Sequence, residues 1–301
     1  MQPIREFDHL MCGVRDLSQV GRSYERLGFT IGPITPLEGV GVANRRILLT
    51  PNEPDCANYI EFMQLGGAGG EIPTYLEKWL KGSREGREGA GSMIMRTDDA
   101  HMAFDHFMQR HDKDPKHGFR PILLELEFDQ FGPEDETYRV AFSNCIMPDL
   151  DPPLFLSTSQ ITTLDFYLND VWRKHPNGAQ SCTATVAMSD DPLATAHALY
   201  DIWGGTVEEY GPGCIAAAPG RIPLFILEQS AFIEKYGEPA RDGTRPLPFI
   251  SGVHLTTSNF ENTRIYFEKN GIEHSIIGQR LILPPSECHG LMICFEPALT
   301  D

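Results

Sequence analysis

The chain of 301 residues is poor in basic residues, with 25 Lys and Arg against 42 Asp and Glu and a formal net charge of −17. Such a surplus of negative charge disfavours nucleic acid and acidic membrane surfaces as partners. The chain also lacks any apolar run near the roughly 18 to 20 residues of a membrane span, and its first residues do not resemble a secretion signal. These absences predict an unexported, cytoplasmic protein that acts on neither nucleic acid nor membranes.

Paired cysteines and phosphate loops are also missing. The seven cysteines stand singly, with no CxxC pair and an odd total, which argues against a disulfide framework or a structural zinc site. No GxxxxGK[ST] pattern occurs, so a nucleotide phosphate loop is not predicted. What remains is a chain with reduced thiols that is long enough for two compact domains.

One supersecondary pattern recurs four times along the chain. An apolar strand-like run leads into a stretch with helical periodicity, then a glycine or polar break, then further strands, first in FDHLMCGVRDL with YERLGF. The three later repeats are SMIMRTDD with AHMAFDHFMQRH, TATVAMSDD with PLATAHALYDIWGG, and VHLTTSN with FENTRIYFEKNG. Repetition at this scale indicates an array of one structural unit.

Each unit predicts one strand, one helix and about three more strands, and a single curved sheet of this kind needs a partner to cover its concave face. We therefore predict an α+β fold of four βαβββ modules, paired into two half-open barrels with a cleft in each. The predicted boundaries are an N-terminal pair at 1–160 with modules at 4–65 and 91–160, a connector at 161–180, and a C-terminal pair at 181–301 with modules at 181–229 and 249–297.

The first unit carries the best candidates for chemistry. Strand alternation places His9 and Met11 on one face of the first strand, and Tyr59, Glu61 and Met63 on one face of YIEFM. A carboxylate in the middle of a strand is costly to bury unless it is paired or bound to a metal. Imidazole and carboxylate groups suit Fe(II), Mn(II), Zn(II) or Ni(II). The alternative is that His9 is a hydrogen-bonded core residue and that Glu61 faces solvent.

Substrate contacts can be assigned on the same grounds. Arg45 and Arg46 alternate on a strand, so at most one of them faces the cleft, where it would clamp a substrate carboxylate. We choose Arg45 for this role. Met11 and Tyr59 near the cleft favour an apolar or aromatic substrate.

Several segments resemble the glyoxalase-like branch of the vicinal oxygen chelate superfamily. They are FDHLMCGVRDL, YERLGF, GVANR and YIEFM, followed later by PLFL, HPNGA and RLILPPSECHGLMICF. The resemblance covers nearly the whole chain. It implies paired βαβββ modules around a divalent metal, and a substrate that chelates the metal through neighbouring oxygens. His9 matches the first-strand histidine of that branch, and Glu61 matches the last-strand glutamate.

Other ligand positions depart from the branch. The histidine that many relatives carry before GVGVANR is replaced by the segment 34–37, and PLFLSTS offers only Ser157 and Ser159 where an acidic residue is expected. We therefore draw a first metal site from His9 and Glu61, with His175 of HPNGA as the third ligand.

A second metal site can be drawn near the end of the chain. It uses His254 with Glu296 or Cys294, and Glu228 as a further ligand. The third unit has Thr183 and Thr185 near the position where the first unit has His9, so it offers no evident metal ligand there.

Three functions fit these residues. The first is a metal-dependent enzyme of the isomerase, lyase or hydrolase class that stabilises an enolate of a small apolar or aromatic substrate, with His9 anchoring the metal and Glu61 serving as ligand and base. The second is an Fe(II) extradiol-type ring-cleaving dioxygenase, which needs two histidines and a carboxylate. The third is a non-catalytic protein that sequesters a ligand. We expect a small-molecule substrate as the partner, and a homodimer as the assembly if the chain is not a monomer.

Overall fold

The computed structural model describes residues 3–113, 119–132, 136–237 and 245–298. Within these residues it contains two eight-stranded mixed sheets, each with helices packed on both faces. The α+β fold predicted from the four repeats is confirmed, because each repeat forms one βαβββ module and each sheet joins two modules. The ends of the predicted domains, residues 1–2 and 299–301, lie outside the described residues, and the domain boundaries stay a prediction.

The N-terminal half contains two modules separated by a helix. Its elements are β1 (Glu6–Gly13), α1 (Leu17–Arg26), β2 (Thr35–Leu37), β3 (Val40–Leu49), β4 (Asn58–Gly70), α2 (Thr74–Arg84), β5 (Gly89–Arg96), α3 (Ala100–Lys113), β6 (Ile122–Phe131), β7 (Thr137–Ile146) and β8 (Phe155–Ile161).

The C-terminal half repeats this order, again with a helix between its modules. Its elements are β9 (Ala179–Met188), α4 (Pro192–Trp203), β10 (Thr206–Glu209), β11 (Cys214–Ala218), β12 (Leu224–Leu227), α5 (Gln229–Tyr236), β13 (Phe249–Thr257), α6 (Phe260–Lys269), β14 (Ser275–Ile277), β15 (Arg280–Leu283) and β16 (Met292–Pro297).

Local sequence signals explain how the first module forms. Asp16 caps α1 by accepting hydrogen bonds from the backbone N–H groups of Ser18 and Gln19. Gly28 follows the helix with φ of 82°, a conformation that glycine adopts without steric cost. The apolar side of α1, including Leu17 and Val20, is fully buried against the sheet, so the amphipathic pattern fixes which face of the helix packs.

Strand order is the same in both halves. The N-terminal sheet runs β2-β3-β4-β1-β5-β8-β7-β6, and the C-terminal sheet runs β10-β11-β12-β9-β13-β16-β15-β14. Within each module the first and last strands pair in parallel, and the two modules meet through antiparallel pairs of first strands, β1 with β5 and β9 with β13. The first strands therefore lie at the centre of each sheet.

The edges of the N-terminal sheet approach each other across its concave face. Thr35 on β2 and Gln130 on β6 exchange side-chain hydrogen bonds of 2.9 and 2.7 Å, although their strands are the two edges of the sheet. This contact curls the sheet toward a closed barrel, and it encloses the concave face of β1 and β4.

A helix covers the concave face in each half, with different results. In the N-terminal half α2 lays Leu76 and Leu80 on the apolar cluster that contains Met11 and Met63, and a cavity remains beneath it. In the C-terminal half α5 packs Phe232 and Tyr236 into an apolar cluster that contains Met292 and Cys294, and Phe232, Tyr236, Ile282 and Met292 also line a second cavity. In the part of the chain that is described, no helix is long and apolar enough to cross a membrane.

Candidate functional site

A cavity of about 80 Å³ lies inside the N-terminal half-barrel, between the sheet and α2. One end is polar and the remaining wall is apolar. The polar residues that line it are His9, Arg46, Tyr59, Glu61, Asn144, Ser157, Ser159 and Tyr167, and the apolar residues include Met11, Met63, Ile94, Leu126, Phe142 and Leu156. A concave apolar site with a few converging polar groups is typical of a small-molecule site.

His9 lies at the polar end of this cavity and is 5% exposed. Its Nδ1 is 2.5 Å from Oδ1 of the buried Asp8, and its ring stacks on Tyr59 with 4.0 Å between centroids. Burial alone lowers the pKa of His9, but the contacts with Asp8 and Glu61 outweigh it and raise the pKa above 6.5. The ring is therefore fixed in orientation, with Nε2 toward Glu61.

Glu61 lies beside His9 on β4 and is also buried. Its Oε2 is 3.7 Å from His9 Nε2, and its Oε1 accepts a hydrogen bond of 2.7 Å from Asn44 Nδ2. Burial raises the pKa of Glu61, but His9, Arg46 and Asn44 together lower it by more than burial raises it, so the net shift is downward. The carboxylate is thus stabilised in its ionised form.

Arg46 is the arginine that faces the cavity, so the choice of Arg45 was wrong. Arg46 Nε is 3.3 Å from Glu61 Oε1, and Nη1 donates a 2.9 Å hydrogen bond to Gln130 Oε1. Arg45 points to the other face of β3, where its guanidinium donates to the carbonyl oxygens of Gly32 and Leu17. Strand alternation required one arginine on each face of β3, but it did not determine which of the two faces the cavity.

Two atoms at the cavity have hydrogen-bonding capacity to spare. Arg46 Nε and Asn144 Oδ1 are buried, and neither has an aligned hydrogen-bond partner among the described residues. Buried polar groups are normally paired, so both atoms are placed to meet a ligand. Sequence reasoning did not single out Asn144, because it lies on β7, far along the chain from β1 and β4.

His175 lies away from this cavity, and the prediction that it is a third metal ligand is wrong. Its Nε2 donates a 2.9 Å hydrogen bond to the carbonyl oxygen of Leu48, and its Nδ1 accepts a 3.0 Å bond from the N–H of Thr30. Because both ring nitrogens are engaged with backbone groups, the imidazole ties the connector to the first module instead of holding an ion.

The second predicted cluster does come together in the C-terminal half. His254 Nδ1 is 3.1 Å from Glu296 Oε1, and potential ligand atoms of His254, Cys294 and Glu296 all lie within 4.8 Å of one another. Tyr236 of α5 contacts His254 Nε2 at 2.8 Å. Arg280 donates a 2.9 Å hydrogen bond to Glu296. Glu228 is exposed at the start of α5 and is not part of this group.

The carboxylate of the C-terminal cluster is less deeply buried than that of the N-terminal cavity, with the Glu296 side chain 26% exposed and the Glu61 side chain 11% exposed. Cys294 belongs to the apolar cluster beneath α5, and burial raises the pKa of its thiol. Burial raises the pKa of Glu296, but the contacts with His254 and Arg280 lower it to about 2. The cluster is therefore a set of paired polar groups under a helix, with both nitrogens of His254 in contact with side chains.

The residues of the N-terminal cavity do not make a complete metal site. His9 and Glu61 are donors of suitable type, but protein metal sites ordinarily use at least three protein ligands. Within the described ranges, the only group of three His, Cys, Asp or Glu residues close enough to share an ion is the C-terminal one. The cross-strand neighbour of His9 on β5 is Ile94, which has no ligand atom, and the Arg46 cation already contacts Glu61.

The ring-cleaving ligand set is incomplete as well. His254 and Glu296 are adjacent, but the residue on β9 that pairs with His254 is Ala184. Thr185 of the same strand instead directs its hydroxyl toward the sulfur of Met93 in the N-terminal half, at 3.3 Å. A second histidine is thus absent at the point where β9 faces His254.

Comparisons with known proteins agree with this fold. A family model described as "Glyoxalase-like domain" matches residues 7–203, more than half of the chain. The chain belongs to this family, and its fold is that of the vicinal oxygen chelate superfamily. A sequence search among curated proteins finds no match.

Solved structures are similar in fold at low sequence identity. A hypothetical protein from Staphylococcus aureus has a TM-score of 0.58 at 12% identity, covering 97% of this chain and 99% of that one. A fusion of a xylose isomerase-like TIM barrel and 4-hydroxyphenylpyruvate dioxygenase has a TM-score of 0.50 at 11% identity, and this chain spans 51% of its length and is covered completely. A mutant 4-hydroxymandelate synthase from Streptomyces coelicolor has a TM-score of 0.49 at 10% identity, with coverage of 100% and 95%.

Proposed function

We propose that the chain is an enzyme that transfers a proton at a carbon atom next to a carbonyl group, and that the N-terminal cavity is its active site. The observation that carries this proposal is His9, held by Asp8 and Tyr59 at the polar end of an enclosed apolar cavity that also contains Arg46. The reaction class is isomerase or lyase, and the substrate is small, largely apolar and oxygen-bearing.

His9 is the group that exchanges the proton. Its contact with Asp8 through Nδ1 leaves Nε2 on the side of Glu61 and the cavity, an arrangement in which the carboxylate fixes the tautomer of the imidazole. Efficient general acid–base groups have pKa values near the working pH. The pKa of His9 is raised from 6.5 by Asp8 and Glu61, whereas that of Glu61 is lowered from 4.5, so the proton between these two groups resides on His9.

The proton balance of the step is simple. Neutral His9 takes a proton from the substrate carbon, and the electron pair of the C–H bond moves onto the carbonyl oxygen as an enolate. The imidazolium then returns the proton to the same carbon or to another one. Glu61 stays ionised and stabilises the imidazolium, while the Arg46 N–H groups face the enolate oxygen. Preorganised charge at the position where a charge develops is a major source of catalysis.

Solvent exchange tests the proposal directly. Small aryl and alkyl ketones are incubated with the protein in D₂O, and deuterium incorporation next to the carbonyl is followed by proton NMR. We expect His9→Gln to lose at least about 100-fold in exchange rate, as for removal of a general acid–base group. His254→Gln is the matched control, since both ring nitrogens of that histidine contact side chains of the C-terminal half, and it should keep the rate.

A ligand-sequestering protein is the second candidate, favoured by the incomplete set of metal ligands. Its signature is tight binding of an apolar carbonyl compound in the N-terminal cavity without any exchange of its protons. Wild-type protein that binds such a ligand but exchanges none of the panel would contradict the enzyme proposal and support this one.

A further inference from the structure

We infer that the guanidinium of Arg46 takes the place of a metal cation in the N-terminal cavity, and that the cavity therefore selects an uncharged carbonyl compound over a carboxylate. The replacement of a metal ion by Arg46 is argued from the protein's own residues, whereas the choice of substrate rests on the proposed function. It explains why two metal-ligand types are present at the cavity without a third.

The position of Arg46 is that of a counter-ion to Glu61. The two residues are direct cross-strand partners on β3 and β4, and Arg46 Nε approaches Glu61 Oε1 to 3.3 Å. Their side chains are only 4% and 11% exposed. A divalent ion bound to this carboxylate would sit beside a buried, permanently charged guanidinium. That repulsion, in surroundings with little water, works against binding of the ion.

The C-terminal half carries the same trio in the same register. Arg280 Nε is 2.9 Å from Glu296 Oε1, and His254 Nδ1 is 3.1 Å from the same oxygen. Leu281 pairs with Phe295, so Arg280 and Glu296 are the next pair along β15 and β16. The repeated trio persists where Tyr236 of α5 contacts the histidine. An arginine on the glutamate is therefore part of the framework of both halves.

The charge balance of the cavity sets the substrate class. Arg46 and Glu61 cancel each other, and the Asp8–His9 pair is neutral when His9 is protonated and negative when it is not. In neither state does a positive charge remain for a substrate anion. Burying an uncompensated carboxylate is costly, whereas a carbonyl oxygen only needs a donor. Arg46 Nε, which lacks an aligned acceptor, is such a donor.

Metal binding tests the first half of the inference. Zinc and manganese are titrated by calorimetry into wild-type protein and into the variants Glu61→Gln, His9→Gln and Glu296→Gln, and the metal content of each preparation is measured by mass spectrometry. We expect the metal stoichiometry of the wild type to be unchanged in Glu61→Gln, because the N-terminal cavity holds no ion. One equivalent that is lost in both Glu61→Gln and His9→Gln but kept in Glu296→Gln would overturn it.

A matched pair of probes tests the second half. Acetophenone and benzoate have similar size and differ in charge, and their binding to the wild-type protein at pH 8 is measured by ligand-observed NMR. We expect acetophenone to bind at least about tenfold more tightly, because the benzoate charge would be buried without a partner. Leu126→Trp, which fills the cavity, should abolish this binding. Equal or tighter binding of benzoate, or no binding of acetophenone, would overturn the inference, while proton exchange at His9 would still be tested separately.

Discussion

Deleting the buried cation beside Glu61 should be costly, and the chain contains its own control. Arg46→Met removes the guanidinium but keeps much of the side-chain volume, leaving Glu61 buried and without its permanently charged counter-ion. Arg280→Met does the same to Glu296 in the C-terminal half, where the two side chains are 31% and 26% exposed instead of 4% and 11%. The two substitutions therefore compare one kind of ion pair at two depths.

The magnitude follows from distance and burial. At 3.3 Å the gross attraction between unit charges is about 5 kcal/mol for an effective dielectric constant of 20. Breaking a buried pair by removing one partner costs about 3 to 5 kcal/mol. Glu61→Gln in the Arg46→Met background removes the stranded charge, so we expect a coupling energy of about 2 to 3 kcal/mol. For the half-exposed pair, solvent screening reduces the expected coupling to about 1 kcal/mol.

Urea unfolding followed by tryptophan fluorescence measures both cycles. Trp79 in α2 and Trp172 in the connector pack on the N-terminal half, whereas Trp203 in α4 packs against Phe155 of β8, where the two halves meet. Variants that keep only Trp79 or only Trp172 therefore report the N-terminal half, and a variant that keeps only Trp203 reports the contact between the halves, which matters because a chain of this size need not unfold in one step. A coupling energy for Arg46 and Glu61 no larger than that for Arg280 and Glu296 would refute the argument from burial.

Four further outcomes follow from the structure. The pKa of Glu296 is lowered from 4.5 to about 2. The ionised Glu296 therefore stabilises the fold above pH 4.5, and this stabilisation is lost as the pH falls toward 2. In Glu296→Gln, the urea midpoint should lack this part of the dependence on acid pH. The pKa of His9 is raised above 6.5, so its stabilisation is complete below pH 6.5 and is lost as the pH rises through the folded-state value, a trend that His9→Gln should abolish in the same assay. His175→Ala removes two hydrogen bonds to backbone groups and should destabilise the N-terminal half by about 2 to 4 kcal/mol, while acetophenone affinity measured by NMR stays within about twofold of wild type. Tyr236→Phe loses the contact with His254 and should cost about 1 kcal/mol in the urea assay without changing that affinity.

Much of the fold could be predicted from the repeats. Each module begins with an apolar strand and a helix with one buried stripe, and these short-range patterns fix both the elements and their faces. Strand alternation also placed His9, Met11, Tyr59 and Glu61 on one side, and the structure has all four lining the cavity. These are local properties, decided by period-two geometry within a strand.

The errors concern contacts between distant segments. Arg45 and Arg46 are neighbours of the same type, so the sequence does not distinguish which one faces the cleft. Only the register of β3 against β4 puts Arg46 on the side of Glu61. His175 was chosen as the third ligand from the connector, although it packs against Phe29 and binds the backbone of Leu48. Helix α5 was not anticipated, and its Tyr236 is the residue that contacts His254 Nε2 in the second cluster. Such packing depends on tertiary structure and leaves little trace in short-range periodicity.

A crystal structure of the wild-type protein with acetophenone, with anomalous data collected for transition metals, tests the central claim most directly. We predict the ketone oxygen within hydrogen-bonding distance of Arg46, the carbon atoms beside it near His9 Nε2, and Arg46 still in contact with Glu61. A metal ion shared by His9 and Glu61 with Arg46 displaced, or a ligand bound at His254 instead, would contradict the account.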